Sequence, residues 1–159
     1  MEEIARGAHV GIGTLYRHFP SRNELLDAVV RDSVDVLCAR ATELGESLPP
    51  DEAFVTWIHA ALEHALTYRA LAASLMISEL GEPAPADPCD GQSACGQLRA
   101  TTELEVARAQ DAGVIRRDVD ADDIVRLINA IALGSVDDPA SRASSERLFD
   151  LMVDGLRAS

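Results

Sequence analysis

The feature that most constrains this chain is a run near its start that combines an apolar helical face with a polar one. Residues 10–22 read VGIGTLYRHFPSR. Leu15 and Phe19 lie four residues apart and therefore share one face of a helix, while polar side chains stand between them. A short helix containing Ile4 and Ala5 precedes the run across a glycine-containing turn. This pattern predicts the second half of a helix-turn-helix, whose polar face suits contact with a phosphate backbone.

The residues that follow predict a long helix and then a helical body. Ser21 and Glu24 form an S-x-x-E capping box at the start of a helix that we expect to reach about Leu44. Apolar residues then recur at helical spacing, and clusters of Gly and Pro separate the segments. The expected helices are 54–68, 70–80, 93–112, 120–133 and 144–157, with loops at 45–51, 81–92 and 137–142. The sequence has no strand pattern, so the predicted fold class is all-α.

The run TLYRHFPSR, followed by a Leu-Leu pair, resembles the DNA-binding domain of the TetR (tetracycline-repressor) family of bacterial transcriptional regulators. The likeness is dense from Glu2 to Val30. It implies a scaffold helix at about 1–8 and a recognition helix at about 12–19 that enters the major groove. We therefore expect a helix-turn-helix DNA-binding domain, the head, at residues 1–31. The body, residues 32–159, is expected to be a helical effector-binding and dimerisation domain.

The resemblance also implies which residues of the head contact DNA. These are Ile12, Gly13, Thr14, Tyr16, Arg17, His18 and Arg22. We expect Thr14 and Arg17 to face bases. We expect Tyr16, His18 and Arg22 to contact phosphates. Because Ile12 and Gly13 carry no hydrogen-bonding side chain, direct base readout is expected to be sparse, and DNA shape can carry part of the specificity.

Two departures from the family pattern accompany this likeness. His9 stands where the family usually has glycine in the turn, so we expect a positive φ there, at a cost of roughly 1 kcal/mol. The chain also begins at Met1, whereas the family places a long helix before the scaffold helix. We therefore expect a loosely held head that binds DNA poorly. The alternative function is an N-terminally truncated dimerisation and ligand-binding module without DNA binding.

Charge is divided unevenly between the two predicted domains. The chain carries 27 acidic and 14 basic residues, a formal net charge of −13 at pH 7. Residues 1–31 are neutral overall, so the excess negative charge lies in the body. This argues against non-specific nucleic-acid binding by the whole chain. The sequence has neither an apolar run long enough to span a membrane nor a secretory signal, so we expect a cytoplasmic protein without a membrane partner.

A second, looser match lies at residues 112–123, which read AGVIRRDVDADD. It resembles the stretch that joins two helices in the ligand-binding body of the TetR family. It implies a pocket for a small-molecule effector among the central helices. The candidate ligand-binding residues are Trp57, His64, Tyr68 and Met76. Each of them also has an ordinary alternative as a core or half-exposed helix residue.

The resemblance further implies a homodimer through the last two helices. Both are apolar on more than one face, which requires burial on more than one side. The candidate interface residues are Ile124, Leu127, Ile128, Ile131, Phe149, Met152, Val153 and Leu156. The alternative is that these faces pack within the monomer. A two-fold dimer would place its heads in successive major grooves of a pseudo-palindromic double-stranded DNA operator.

No motif points to catalysis or to a metal centre. The chain lacks G-x-S-x-G, H-E-x-x-H and P-loop patterns, and His59 and His64 are spaced too widely to share a helix face. Cys38, Cys89 and Cys95 are most simply free thiols. We therefore expect no catalytic residue, no metal and no cofactor, and an enzyme of unidentified type is the least favoured alternative. The favoured function is a ligand-responsive regulator, in the first place a repressor, released from DNA by a small apolar effector.

Overall fold

The computed structural model describes residues 1–78, 93–135 and 139–158, without the side chains of 23, 69–78 and 139–141. These residues form seven helices, and the predicted all-α fold is confirmed. The helices are α1 (Glu2–Gly7), α2 (Ile12–His18), α3 (Arg22–Ser47), α4 (Pro50–Ser78), α5 (Ala94–Asp111), α6 (Ala121–Leu133) and α7 (Pro139–Leu156).

None of the described helices is long and apolar enough to cross a bilayer.

Three helices differ from their predicted extents. α3 passes its predicted end at Leu44 and reaches Ser47, so the predicted loop at 45–51 shrinks to Leu48 and Pro49. The sequence predicts separate helices at 54–68 and 70–80, but α4 runs unbroken from Pro50 to Ser78. Proline suits the first helical position, and residues 51–78 contain no further proline and no glycine that would end the helix. The predicted loop at 137–142 is also wrong from residue 139 onward, because α7 begins there, again at a proline.

Side-chain caps begin three of the helices. The hydroxyl of Ser21 accepts a hydrogen bond from the amide of Glu24 at 3.1 Å, and Ser93 accepts one from Gly96 at 3.0 Å. Asp120 makes the fullest cap: it accepts from the amide of Asp123 at 2.9 Å, while the Asp123 carboxylate accepts from the amide of Asp120 at 3.3 Å. Caps of this kind satisfy amides that the first helical turn leaves without partners.

Two helices end through the same left-handed turn. After α1, the amide of Val10 donates to the carbonyl of Ala5 at 3.0 Å and that of His9 donates to Arg6 at 3.2 Å. His9 itself has φ 55°, so the expected positive φ is confirmed. After α5, Gly113 takes the equivalent position with φ 70°. Both are Schellman turns, and glycine is the residue that adopts this conformation without steric cost.

The main core lies in the body. It is built from α3 to α7 around Trp57, Ile58, Leu62 and Ile124, whose side chains are at most 1% exposed. Beyond the helices, the amide of Arg116 donates to the carbonyl of Leu156 at 2.9 Å, which ties the segment after α5 to the end of α7. This hydrogen bond joins two parts of the body that lie far apart in the sequence.

The head has only a small buried set of its own. Ala5, Leu15 and Leu26 are buried, whereas Ile4 and Val10 are each 42% exposed. From the head, α3 continues without a break into the body. The predicted domain boundary at residue 31 therefore falls inside a helix, and it stays a prediction.

The cysteines differ from one another. Cys38 is a free thiol whose pKa is raised, chiefly by burial. Cys95 is disulfide-bonded, so the prediction of a free thiol is wrong for it. Cys89 lies outside the described residues.

Candidate nucleic-acid interface and effector region

Helix α2 packs against the protein through one buried side chain, and its other faces are exposed. Leu15 is 7% exposed and anchors the helix, and Phe19, one turn later, is half-buried. At 100° per residue, Gly13 and Arg17 lie almost opposite Leu15 and so face away from the protein. A Cβ at Gly13 would meet nothing within 4 Å. We call the face that carries Gly13 and Arg17 the outer face of α2. Next to the Arg17 side chain, this face consists of backbone alone.

Two flanks border this outer face. Thr14 and His18 lie on one side of the helix, and Ile12 and Tyr16 lie on the other, each pair one turn apart. All four are exposed, with Ile12 at 40% and Tyr16 at 48%. Exposed apolar surface next to polar groups is suited to contact with thymine methyl groups and sugar edges.

Arg22 completes the surface from the neighbouring helix. It is the first residue of α3, exposed, and follows the capped Ser21. The cap fixes where α3 begins and so fixes the position of Arg22 relative to the end of α2. The structure thus brings all seven predicted DNA-binding residues to the exposed surface of two adjacent segments.

In the body, the structure brings together two of the four candidate ligand-binding residues. His64 and Tyr68 lie one turn apart on α4, with ring centroids 4.8 Å apart. His64 Nε2 also lies 3.1 Å from the hydroxyl of Ser33 on α3. Since that hydroxyl donates to the carbonyl of Val30 at 2.7 Å, it accepts from His64 Nε2–H. Burial lowers the pKa of the imidazole, which agrees with a neutral ring.

Trp57, the third candidate, does not join this group. Trp57 is 1% exposed in the main core, and its indole N–H donates to the carbonyl of Leu37 at 3.3 Å. It thus follows the ordinary alternative of a core residue. The Met76 side chain lies outside the described residues. Ser33 could not be predicted from the sequence, because its partner is 31 positions away and neither residue belongs to a motif.

An open groove of about 510 Å³ lies far along α4 from His64. Its walls come from the first turns of α4, the segment after α5 and the end of α7, including Val55, Ile115 and Arg157. Of the described candidates, Trp57, His64 and Tyr68 do not line it. Val153, predicted at the dimer interface, does.

The predicted dimer residues divide into a buried and an exposed group. Six of the eight are at most 9% exposed within the single chain and form part of its main core. These are Ile124, Ile128, Ile131, Phe149, Met152 and Leu156. These six pack within the single chain, as the alternative describes, and their place in a dimer interface stays a prediction. Leu127 is 43% exposed, and Val153 is half-buried.

A different apolar strip faces outward on the same two helices. On α7, Leu148 and Leu151 are 44% and 62% exposed, and Gly155 follows one turn later. On α6, the exposed Leu127 and Ala130 lie on one face. We call these five residues the outer strip. The outer strip combines three leucines with two small residues, Ala130 and Gly155. Small residues let two helices approach closely.

Comparison with known proteins agrees with this architecture. Residues 1–29 match the family model for bacterial regulatory proteins of the tetR family, and residues 49–158 match the model for the C-terminal domain of SbtR-like transcriptional regulators. None of the curated proteins compared matches the chain.

Two solved structures are similar over nearly the whole chain. A TetR transcriptional regulator from Streptomyces coelicolor shares 36% identity with a TM-score of 0.66, covering 99% of this chain and 87% of that one. A TetR transcription regulatory protein from Mycobacterium vanbaalenii shares 31% identity with a TM-score of 0.55, covering 98% and 81%. An all-helical body behind an exposed helix-turn-helix is the design of a bacterial transcriptional regulator rather than an enzyme. The chain belongs to the TetR family.

Proposed function

We propose that this regulator is a repressor that binds a pseudo-palindromic operator as a homodimer and releases it when a small apolar effector enters the body. In this proposal the protein acts in the cytoplasm, where its DNA lies. The observation that carries the DNA-binding half is the outer face of α2, where Arg17 stands beside the bare backbone of Gly13. A glycine there lets the helix approach base edges closely, and an arginine can donate two hydrogen bonds to guanine.

The remaining exposed polar side chains fit the role of positioning. Arg22, His18 and Tyr16 surround the outer face and can contact phosphates on either side of the groove. The strongly acidic body supports this orientation, because it is repelled by DNA while the neutral head is not. The same charge distribution makes binding by any other surface of the chain unfavourable.

The proposed dimer uses the outer strip, which shares only Leu127 with the eight residues that the sequence suggested. Three exposed leucines, Leu127, Leu148 and Leu151, would leave water on association. Burying apolar area contributes about 25 cal/mol for each Å². Since α6 and α7 of one chain pack against each other, the two copies would form a four-helix contact with a two-fold axis.

The proposed effector region is the group of His64, Tyr68 and Ser33. It combines polar groups with the apolar helices around it, as small-molecule sites do. It also joins α4 to α3, the helix that begins with Arg22. An effector that displaces the Ser33–His64 hydrogen bond would change the packing of α3 and, through it, the placement of the DNA-contacting residues.

Duplexes selected by the wild-type chain from a random pool test the DNA-binding proposal. Arg22→Ala should weaken binding to every duplex alike and reduce the slope of log affinity against log salt concentration by about 1. Arg17→Ala should instead relax the preference at particular base pairs. Arg40→Ala, at an exposed position far along α3, is the matched control and should change neither property. An unchanged salt slope for Arg22→Ala would contradict the assignment, and a failure to select any duplex would favour the module without DNA binding.

A further inference from the structure

A cluster outside the proposed DNA and effector regions joins α4 to α7. Within the described residues, the imidazole of His59 and the carboxylates of Glu63 and Glu146 place one ligand atom each within 4.8 Å of one another. His59 Nε2 lies 3.5 Å from Glu146 Oε2. His59 and Glu63 share a face of α4, one turn apart, and Glu146 comes from α7. From these residues we propose a site for a divalent transition-metal ion, of which Zn²⁺ is the reference case.

The histidine is oriented for this role. Its ring packs edge-on against Phe149, with centroids 5.0 Å apart and planes at 87°. Phe149 is 4% exposed and belongs to the core, so it forms a fixed wall. Because Phe149 and Glu146 lie one turn apart on α7, a single helix provides both the wall and a carboxylate ligand.

The chemistry of the three groups selects the class of ion. An imidazole with two carboxylates suits Zn²⁺ and its neighbours in the first transition row, whereas Mg²⁺ and Ca²⁺ favour sites made of oxygen alone. Zinc bonds to such ligands measure about 2 Å, so small side-chain rotations would bring the three atoms onto one ion. Three protein ligands leave a position for water, which is the arrangement of an exchangeable ion rather than a closed structural one.

Access and charge also fit. The side chains of His59, Glu63 and Glu146 are 41%, 40% and 51% exposed, so an ion can enter from solvent. Two carboxylates this close repel each other, and a cation between them relieves the repulsion. Arg142 now supplies part of that compensation, with its guanidinium 3.4 Å from Glu63 Oε2. Arg142 is 72% exposed, so an incoming metal ion can displace it.

Calorimetric titration of the metal-stripped full chain with Zn²⁺ tests the site. We expect one ion for each chain, with a rise in the melting temperature because the ion links α4 to α7. Glu146→Gln removes a ligand at an exposed position and should weaken binding at least tenfold, about the least that disturbing a metal site costs. Arg142→Ala should strengthen binding, because it removes the competing cation. Glu43→Gln, an exposed carboxylate on α3, is the control and should bind like the wild type.

Several outcomes would overturn the proposal. If Glu146→Gln and His59→Asn both keep the wild-type affinity while remaining folded by circular dichroism, the ion binds elsewhere. If Arg142→Ala weakens binding, the arginine supports the site instead of competing for it, contrary to the proposed geometry. An equal response to Mg²⁺ would show that the imidazole is not a ligand. Co²⁺, whose visible absorption reports its coordination geometry and ligand set, should change its spectrum in His59→Asn and keep it in Glu43→Gln.

Discussion

The carboxylate of Asp27 accepts a hydrogen bond from the main-chain amide of Ala94, with 2.7 Å between Oδ1 and the nitrogen. The contact spans 67 positions in sequence. It joins the second turn of α3, close to the proposed DNA surface, to the first residue of α5. An ion pair with Arg31, one turn further along α3, holds the carboxylate. Asp27 therefore acts as a cap supplied by one helix to the start of another.

We expect Asp27→Ala to destabilise the fold by about 1 kcal/mol, the usual cost of removing a helix cap. Asp27→Asn keeps an oxygen that can accept from Ala94 and loses only the charge, so it should fall between Asp27→Ala and the wild type. Asp32→Ala removes an exposed carboxylate from the same helix and serves as the control. Urea unfolding followed by circular dichroism measures all three. Equal stability of Asp27→Ala and Asp32→Ala would show that the contact contributes nothing.

The outer strip predicts a variant that separates the proposed dimer without unfolding it. Leu151 is 62% exposed, so Leu151→Arg should leave the monomer folded and prevent association, because it would place a charge in the apolar contact. Val36→Arg introduces the same change at a position on α3 that is 69% exposed, and should remain a dimer. Sedimentation velocity distinguishes the two. A Leu151→Arg protein that sediments with the wild type would exclude this face.

A buried neighbour on α6 should behave differently. Ile128 is 6% exposed within the single chain, so Ile128→Arg places a charge inside the core. We expect loss of the folded state rather than a folded monomer, since an unpaired buried charge costs several kcal/mol. Thermal unfolding followed by far-ultraviolet circular dichroism gives the answer. A folded, monomeric Ile128→Arg protein would show that the core accepts a charged side chain at this position of α6.

The two left-handed turns predict opposite responses to glycine exchange. His9→Gly removes the steric cost of a positive φ and should stabilise the chain by up to about 1 kcal/mol, whereas Gly113→Ala introduces that cost and should destabilise it by about as much. The effect of Gly113→Ala comes from the backbone alone, because an added Cβ at Gly113 would meet nothing within 4 Å. Chemical denaturation measures both. Loss of stability in His9→Gly would mean that the imidazole contributes more than the backbone strain costs.

The acid sensitivity of the fold should depend in part on His64. Burial lowers the pKa of its imidazole below the usual 6.5, so the unfolded chain binds this proton more readily than the folded one. The resulting stability is present above pH 6.5 and is lost as the pH falls below it. His64→Gln should lose less stability over that range than the wild type, while His18→Gln, at an exposed position, should match the wild type. Identical pH profiles for all three would exclude this role.

The sequence was most informative where the determinants are local. Ser21 signals the start of α3 through an interaction with Glu24, three positions away, and the structure follows it. The positive φ of His9 was predicted from the family resemblance, because the family usually has glycine at that position of the turn. The break expected near Tyr68 was wrong, since neither glycine nor proline enforces it.

Contacts between distant helices could not be predicted in the same way. Ser33 and Glu146 gain their partners only when helices pack, and nothing in their own neighbourhood marks them. The apolar residues of α6 and α7 show the same limit. Their periodicity identifies a helix with much apolar surface, but which leucines face the core depends on the rotation of each helix. That rotation is set by tertiary packing, so Ile128 lies inside and Leu151 outside.

The unbroken course of α3 has a mechanical consequence. Its 26 residues extend about 39 Å, and from Arg22 to Leu44 it contains neither glycine nor proline at which it could bend. Such a rod transmits rotation instead of absorbing it. A tilt of about 5° about one end displaces the other by about 3 Å, which is as long as a hydrogen bond. A small rearrangement deep in the body can therefore move the Arg22 side chain, at the start of α3, out of hydrogen-bond distance of a DNA phosphate. Every turn of the helix would stay intact.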